Sequence, residues 1–318
     1  MTCAPTEADL VGLIAHAVRA PSVLNSQPWR FDPDTSGPDA VIRLFADRDR
    51  QLTALDPEGR ELAISCGAAL FYLSTAAGHA GWSSEIRLLP DGTPDLFATV
   101  TLRPSPRVPD NTRTFRALLL RRTNRLPFTD EPVPRGVLDG LDEHASIYGA
   151  TLHPIAGENQ EALAALVEAG VLAQADDPTI VKDILAWLRP EDDPRADGVR
   201  DEAQGVWDRR AALRTPPIAV ARYKRRLMKE APVVFVLSMP SDTTRDWLRA
   251  GQALASVLVH ASDRGLAASY ANEPIEVDDL RPGVAVIAES GVPQVLFRLG
   301  FPQVDPPTPR RSAHAVTE

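Results

Sequence analysis

Apolar residues Leu10, Leu13, Ile14, Ala17 and Val18 recur at i, i+3, i+4, i+7 and i+8, predicting an amphipathic helix. Thr6 and Asp9 have the spacing of a capping box at its start, and Pro21 forbids its simple continuation. Residues 41–45 read as a short strand. A second helix is predicted from Asp56-Pro57, an N-cap followed by proline at the first helical position, to about Ala77, with Leu62, Cys66, Ala69, Leu70 and Leu73 inward. Residues 96–102 alternate with period two, as a strand with one covered face does. Residues 103–110 hold three prolines and read as a linker. Beyond them the pattern predicts helices at 113–121, 158–173, 243–264 and 278–289. It predicts strands at 150–156, 233–237 and 294–299, of which 233–237 is a continuous apolar run suited to a buried strand.

The two halves share this grammar. Glu61–Gly67 and its helix can be laid on Arg245–Gly251 and its helix without a gap. The glycines then coincide, as do Leu70 with Leu254 and Leu73 with Val257, and each helix is followed by a loop and a strand. This predicts duplication, hence two α+β lobes in one chain. Between the repeats, residues 189–230 are charged and proline-punctuated, with Trp207 and Tyr223. They read as a solvated insertion or as a lid over a site.

At 318 residues with 44% apolar positions, the chain can bury a large core. No apolar run approaches a membrane span, and the N-terminus lacks the basic and apolar regions of a secretion signal, so no membrane partner is expected. Two cysteines, Cys3 and Cys66, form no disulfide framework and fit a reducing cytoplasm. A net charge of −9 argues against nucleic acid as the main partner.

Phosphate loops, Cys-x-x-Cys pairs and His-Glu-x-x-His are absent, and the scattered histidines lack ligand spacing, so no metal is expected. Ala63-Ile-Ser65-Cys-Gly67 resembles a degraded nucleophile elbow, the basis of a serine-hydrolase alternative. Ser65 falls inside a helical pattern, where it reads as packing. Pro21-Ser22-Val23-Leu24-Asn25-Ser26-Gln27-Pro28-Trp29 reads either as a capped helix end with Trp29 in the core or as a polar loop for a heteroaromatic edge. Arg121-Arg122-Thr123-Asn124-Arg125 reads either as a basic helix end or as guanidinium forks for phosphate. Arg310-Arg311 forms a basic pair in the tail.

Together these motifs resemble the nitroreductase family of flavoproteins. The Pro21–Trp29 segment is similar to that family's Pro-Ser-Ser-x-Asn-x-Gln-Pro-Trp loop, with Val23 for the second serine. Arg121–Arg125 resembles its arginine motif with Thr123 for serine, and Leu296–Pro302 and Arg310-Arg311 resemble its last strand and tail. The loop precedes the arginine motif, the reverse of the usual order, which resembles the fused, duplicated Acg branch. The resemblance implies lobes at 1–108 and 109–318, each with a mixed or antiparallel sheet flanked by helices, and a monomer mimicking the family homodimer. It implies one FMN between the lobes and a vacant second site. The implied contacts are Pro21, Ser22, Asn25 and Gln27 from one side; Arg121, Arg122, Thr123, Arg125, Arg310 and Arg311 from the other; and Asn272 and Glu273 near the reactive edge. The flavin would then carry the chemistry, with no side-chain catalyst: ping-pong hydride transfer from NAD(P)H to a nitroaromatic or quinone-like acceptor. The alternative is a lidded protein that holds flavin without turnover.

Overall fold

Two four-stranded antiparallel sheets, each built in the same strand order, frame the computed structural model, which describes residues 4–90, 92–105, 111–200, 215–303 and 308–317. The strands are β1 (Trp29–Asp34), β2 (Ala40–Ala46), β3 (Trp82–Leu88), β4 (Leu96–Pro104), β5 (Thr151–Ile155), β6 (Leu188–Arg189), β7 (Val199–Arg200), β8 (Val233–Met239), β9 (Ala267–Tyr270) and β10 (Val292–Gly300). The helices are α1 (Glu7–Ala17), α2 (Arg60–His79), α3 (Thr112–Leu120), α4 (Arg135–Leu138), α5 (Leu141–Ser146), α6 (Gly157–Asp176), α7 (Pro178–Trp187), α8 (Pro217–Lys229), α9 (Thr244–Ser262), α10 (Glu273–Glu276) and α11 (Arg281–Ile287). The first sheet runs β1-β2-β4-β3 and the second β5-β8-β10-β9, so each sheet places its third strand in sequence at the edge beside its fourth. The fold is α+β and duplicated.

Sequence dictates how each sheet is covered. β2 alternates buried and half-buried residues, because only one face packs, against α2. β8 is buried almost throughout. Phe235, Leu237 and Met239 join the central core, while Val234 and Val236 face a second core with Leu163, Val167 and Val284 of α6 and α11. A continuous apolar run is what two covered faces require. The C-terminal segment crosses to the first sheet, where Phe31 N–H donates to Val316 O at 2.7 Å.

α2 and α9 cross at the centre. A Cβ on Gly67 would overlap the carbonyl of Leu248, and one on Gly251 would overlap the carbonyl of Ile64. The aligned pairs 64/248 and 67/251 therefore meet reciprocally, as in an isologous two-fold interface. Only glycine lets the two backbones approach this closely.

Several expectations need correction. α2 begins at Arg60, not beside Pro57, with left-handed Gly59 as its cap residue. Asp56 does the capping from upstream, accepting the N–H groups of Glu61 and Leu62 at 3.0 and 2.9 Å. α2 is also long and apolar enough to cross a membrane (mean hydropathy 1.3), contrary to the reading of the runs, yet 83% of that window is buried in the protein. Of the two sheet types expected, mixed or antiparallel, both four-stranded sheets are wholly antiparallel, as expected. β4 runs on to Pro104, into the expected linker, and the expected lobe boundary at 108/109 lies outside the described residues. In the 189–230 stretch, read as a solvated insertion or a lid, β6 and β7 form a short parallel ribbon and α8 follows, while Trp207 and Arg209-Arg210 lie outside the described residues. Cys66 is free and buried, and Cys3 lies outside the described residues.

Candidate functional site

A cavity of about 590 Å³ opens in the seam between the two sheet systems. Its first-half wall is Pro21–Leu24 with Glu61, Ser65 and Ala68 of α2. Its second-half wall is Arg125, Ser269, Tyr270, Asn272, Glu273 and Arg298. Val181, Ile184 and Leu185 of α7 and Val220, Tyr223 and Leu227 of α8 close it with an apolar surface.

The loop after α1 is held in a costly conformation. Leu24, Asn25 and Gln27 have φ of +42°, +54° and +53°, in the left-handed region. Each such non-glycine residue costs roughly 1–2 kcal/mol. Hydrogen bonds hold it there: Gln27 N–H donates to Ser22 Oγ at 3.0 Å, and Ser65 Oγ accepts the Val23 N–H at 3.2 Å. The same Ser65 hydroxyl donates to Glu61 O at 2.7 Å, so it splices α2 to the loop, as packing rather than nucleophilic chemistry requires. Asn25 and Gln27 are buried but do not line the cavity. Asn25 Nδ2 donates to Gly198 O and Pro309 O, Gln27 Nε2 donates to Ala196 O, and Gln27 Oε1 accepts from Arg311 N–H. They pin the tail and the β6–β7 ribbon onto the loop.

Behind Pro21, outside the cavity lining, guanidinium groups gather. Arg121 and Arg310 both direct an Nη2 at the carbonyl of Arg19, at 3.4 Å each. Arg121 Nε donates to Tyr72 Oη at 2.6 Å, and its Nη1 to Thr123 Oγ1 at 3.3 Å. Burial and the neighbouring Arg121 pull Arg310 down to about 9, and burial with Arg122 lowers Arg19. Among the described residues, Arg19, Arg122 and Arg310 meet carbonyls but no carboxylate, and the buried Nε of Arg310 has no partner. Concentrated like charge of this kind costs stability unless an anion joins it. Arg122 folds back onto Leu119 O and Arg121 O, closing the end of α3. Arg311 lies apart, 3.8 Å from Asp47. Arg125 alone of the arginine motif lines the cavity, its guanidinium pulled down to about 10 by burial.

The opposite wall is acidic. Asn272 Nδ2 donates to Glu61 Oε1 at 2.8 Å and its Oδ1 accepts the Leu296 N–H at 3.0 Å, so it ties both halves together. Glu273 pairs with Lys224 of α8. Gln174 Nε2 donates to Glu276 Oε2 at 2.5 Å. Burial raises Glu61, and burial with the adjacent carboxylates raises Glu276 well above the usual carboxylate range.

The closing segment belongs to the second half but is fastened to the first. Asp183 of α7 accepts the Ala54 N–H at 2.7 Å. Asp197 pairs with Arg50 and, at 2.9 Å, with Arg189. Both arginines stack on Trp187, at 5.0 and 5.4 Å from its ring.

The structure thus gathers Pro21, Ser22, Arg125, Asn272 and Glu273 on one cavity, Arg121, Arg122 and Arg310 in the cluster beside it, and Asn25, Gln27 and Arg311 in the clasp behind the loop. Sequence reasoning missed Arg19, Tyr72, Glu61, Tyr270, Glu276 and Arg298. Arg19 had a signal in its place two residues before the Pro-Ser loop. Glu61 and Glu276 had none, because only the fold brings them together.

Residues 118–300 match the family model described as "Nitroreductase family". The chain is similar to two Mycobacterium tuberculosis proteins. One, "Putative NAD(P)H nitroreductase acg", is 32% identical over 95% of this chain and 92% of its own. The other, Rv3131, carries the same designation and is 30% identical over 95% of this chain and 89% of its own. Among solved structures it is similar to the FMN-dependent nitroreductase NfnB from Mycobacterium smegmatis in complex with NADPH. There the identity is 17% over 66% of this chain and 99% of that one, with a TM-score of 0.43.

Proposed function

Because the chain belongs to the nitroreductase family, we propose that it binds FMN in the seam cavity and acts as an NAD(P)H-dependent oxidoreductase on nitroaromatic or quinone-like acceptors. The observation that carries this reading is the arginine cluster. Arg19, Arg121, Arg122 and Arg310 gather around the carbonyls of Leu119 and of Arg19, which lies two residues before Pro21 of the cavity wall, and this suits a ligand with a phosphate at one end and a flat aromatic system at the other. The unpartnered Arg310 Nε has a proton for such an anion. The names of the mycobacterial relatives point to NAD(P)H as the reductant.

In this reading Arg121 and Arg310 hold the phosphate, while Pro21 and Ser22 bear on the ring system from the first half. When bound, FMN supplies two-electron exchange at its N5. Arg125 places a fixed cation beside the ring edge where negative charge gathers on reduction, which favours the reduced form. Asn272 and Glu273 form the wall on the far side. The apolar faces of α7 and α8 exclude water from the space above the ring. No acid–base triad is needed, in keeping with the helix-bound role of Ser65.

The second reading, a protein that holds FMN without turnover, is favoured by one observation: α7 and the ribbon after it are fastened across the cavity by Asp183 and Asp197. A visible absorption spectrum of the purified protein, before and after anaerobic NADPH, tests both. The oxidoreductase reading expects a yellow protein that bleaches and regains colour with a quinone. A yellow protein that neither nicotinamide reduces selects the holding reading. Protein that takes up no FMN on titration sinks both.

A further inference from the structure

We propose that Glu61 of α2 and Glu276 of α10 share one proton across the seam and that this pair protonates the oxygen of a quinone-type acceptor reduced in the cavity. The inference rests on the flavin reading above. Both residues line the cavity and come from opposite halves. The outer oxygen of each is taken by an amide: Glu61 Oε1 by Asn272 Nδ2 at 2.8 Å, and Glu276 Oε2 by Gln174 Nε2 at 2.5 Å. This fixes both carboxyl planes and brings the two groups together: Asn272, which holds Glu61, sits one turn before Glu276, whose N–H donates to Asn272 O at 2.9 Å. Two buried carboxylates set side by side repel, and a proton relieves that repulsion. One of them must carry it.

The charges around the pair agree. From α2, Arg60 lies 3.3 Å from Glu61 Oε1 but also donates to Gln294 O at 2.6 Å. Asp56, on the same side, spends its oxygens on backbone N–H groups. From α10, Glu273 adds a further carboxyl, and Lys224 of α8 pairs with it. Glu61, Glu273 and Glu276 therefore face two cations, and in a buried setting the surplus negative charge is removed by a proton.

The chemistry needs this proton. A quinone that receives a hydride, two electrons and one proton, on one oxygen is left with a hydroxyl there and a phenolate at its other oxygen, which is the one that needs a proton. The O–H bond of the pair breaks, a phenol O–H forms, and two carboxylates remain that regain one proton from water. The singly protonated pair is a proton donor in the cavity wall, and it returns to that state because two adjacent buried carboxylates repel.

Two measurements test this. The first needs no turnover: infrared spectra of the purified protein at neutral pH, with and without carboxyl-labelled glutamate. A label-sensitive protonated-carboxyl band is expected, lost in both Glu61→Gln and Glu276→Gln. A wild type without the band, or a band surviving both substitutions, overturns the shared proton. The second takes FMN-loaded protein reduced with dithionite, so that no nicotinamide is involved, and follows reoxidation by a benzoquinone in stopped flow. Glu276→Gln is expected to slow it about 100-fold, the low end for a positioned acid, with loss of the solvent deuterium effect seen in wild type. Equal rates overturn the delivery step. Failure to bind FMN would instead strike the flavin reading, and the infrared result on the pair would stand separately.

Discussion

Arg310→Met separates a ligand-binding cation from a structural one by the sign of two effects. In the protein without ligand, Arg310 is held among Arg19, Arg121 and Arg122, and burial with these neighbours pulls it from 12.5 down to about 9. A base whose folded pKa is depressed opposes folding while it is charged, and the penalty fades only as pH rises through about 9. Methionine keeps the aliphatic bulk and removes the charge. The flavin-free variant is therefore expected to be more stable at pH 7, by about 1 kcal/mol or roughly 1–2 °C in Tm. FMN affinity should move the other way. Loss of a charge-assisted hydrogen bond to phosphate costs about 1.5–3 kcal/mol, which is roughly 10- to 150-fold in Kd. Riboflavin, with the same ring but no phosphate, supplies the control, and its affinity is expected to change less than about threefold. The assay is fluorescence titration of apoprotein with each flavin, alongside calorimetry of the apo form. If FMN and riboflavin weaken equally, or if the apo variant is less stable than wild type, the cluster is not a phosphate site.

Gly251→Ala should destabilise the fold by about 3 kcal/mol or more, because its Cβ would overlap the Ile64 carbonyl and force α2 and α9 apart. Gly12→Ala, in α1 with open space around it, should instead raise stability by about 0.5–1 kcal/mol, and denaturant melts read both. Burial and the neighbouring His260 push His144 down to about 4, and burial lowers His260, against which it stacks. The stability these neutral rings contribute is present above about pH 6.5 and lost as pH falls toward about 4. His144→Asn should flatten that part of the stability–pH curve in acid melts. Asp197→Asn removes the carboxylate that joins Arg50 to Arg189, so amides of residues 188–200 should exchange faster with deuterium and bound FMN should dissociate faster. Unchanged exchange there would show that the ion pair does not fasten the segment.

Local chemistry made part of this legible from sequence. Thr6 and Asp9 form the capping box their spacing predicts, with Asp9 N–H on Thr6 Oγ1 at 3.3 Å, because a cap depends only on residues within one turn. The aligned glycines of α2 and α9 were legible because close approach tolerates one residue type. β1 and β3 were not read. Asp32-Pro33-Asp34 carries turn residues on an edge strand, where a missing N–H is tolerated, and β3 is largely polar on its exposed face. At the site, the loop and the arginine motif were visible as compact segments. The division of labour within them was not: Asn25 and Gln27 became clasps, and Arg122 a helix closure, through partners on the ribbon, the tail and α3. The acidic pair was invisible because Glu61 and Glu276 are strangers in sequence.

The reciprocal crossing of α2 and α9 has a consequence for how such a protein can change. In an assembly of two identical copies, every mutation is made twice, so an improvement at one pocket is imposed on its mirror image. Once the copies are tethered in one polypeptide, a mutation away from the axis alters a single pocket, and the opposite one is released to drift. The axis itself gains no such freedom: Gly67 and Gly251 each guard the other's neighbour, so altering either disturbs both halves at once. Innovation in this architecture should therefore accumulate at the periphery and stay frozen at the hub.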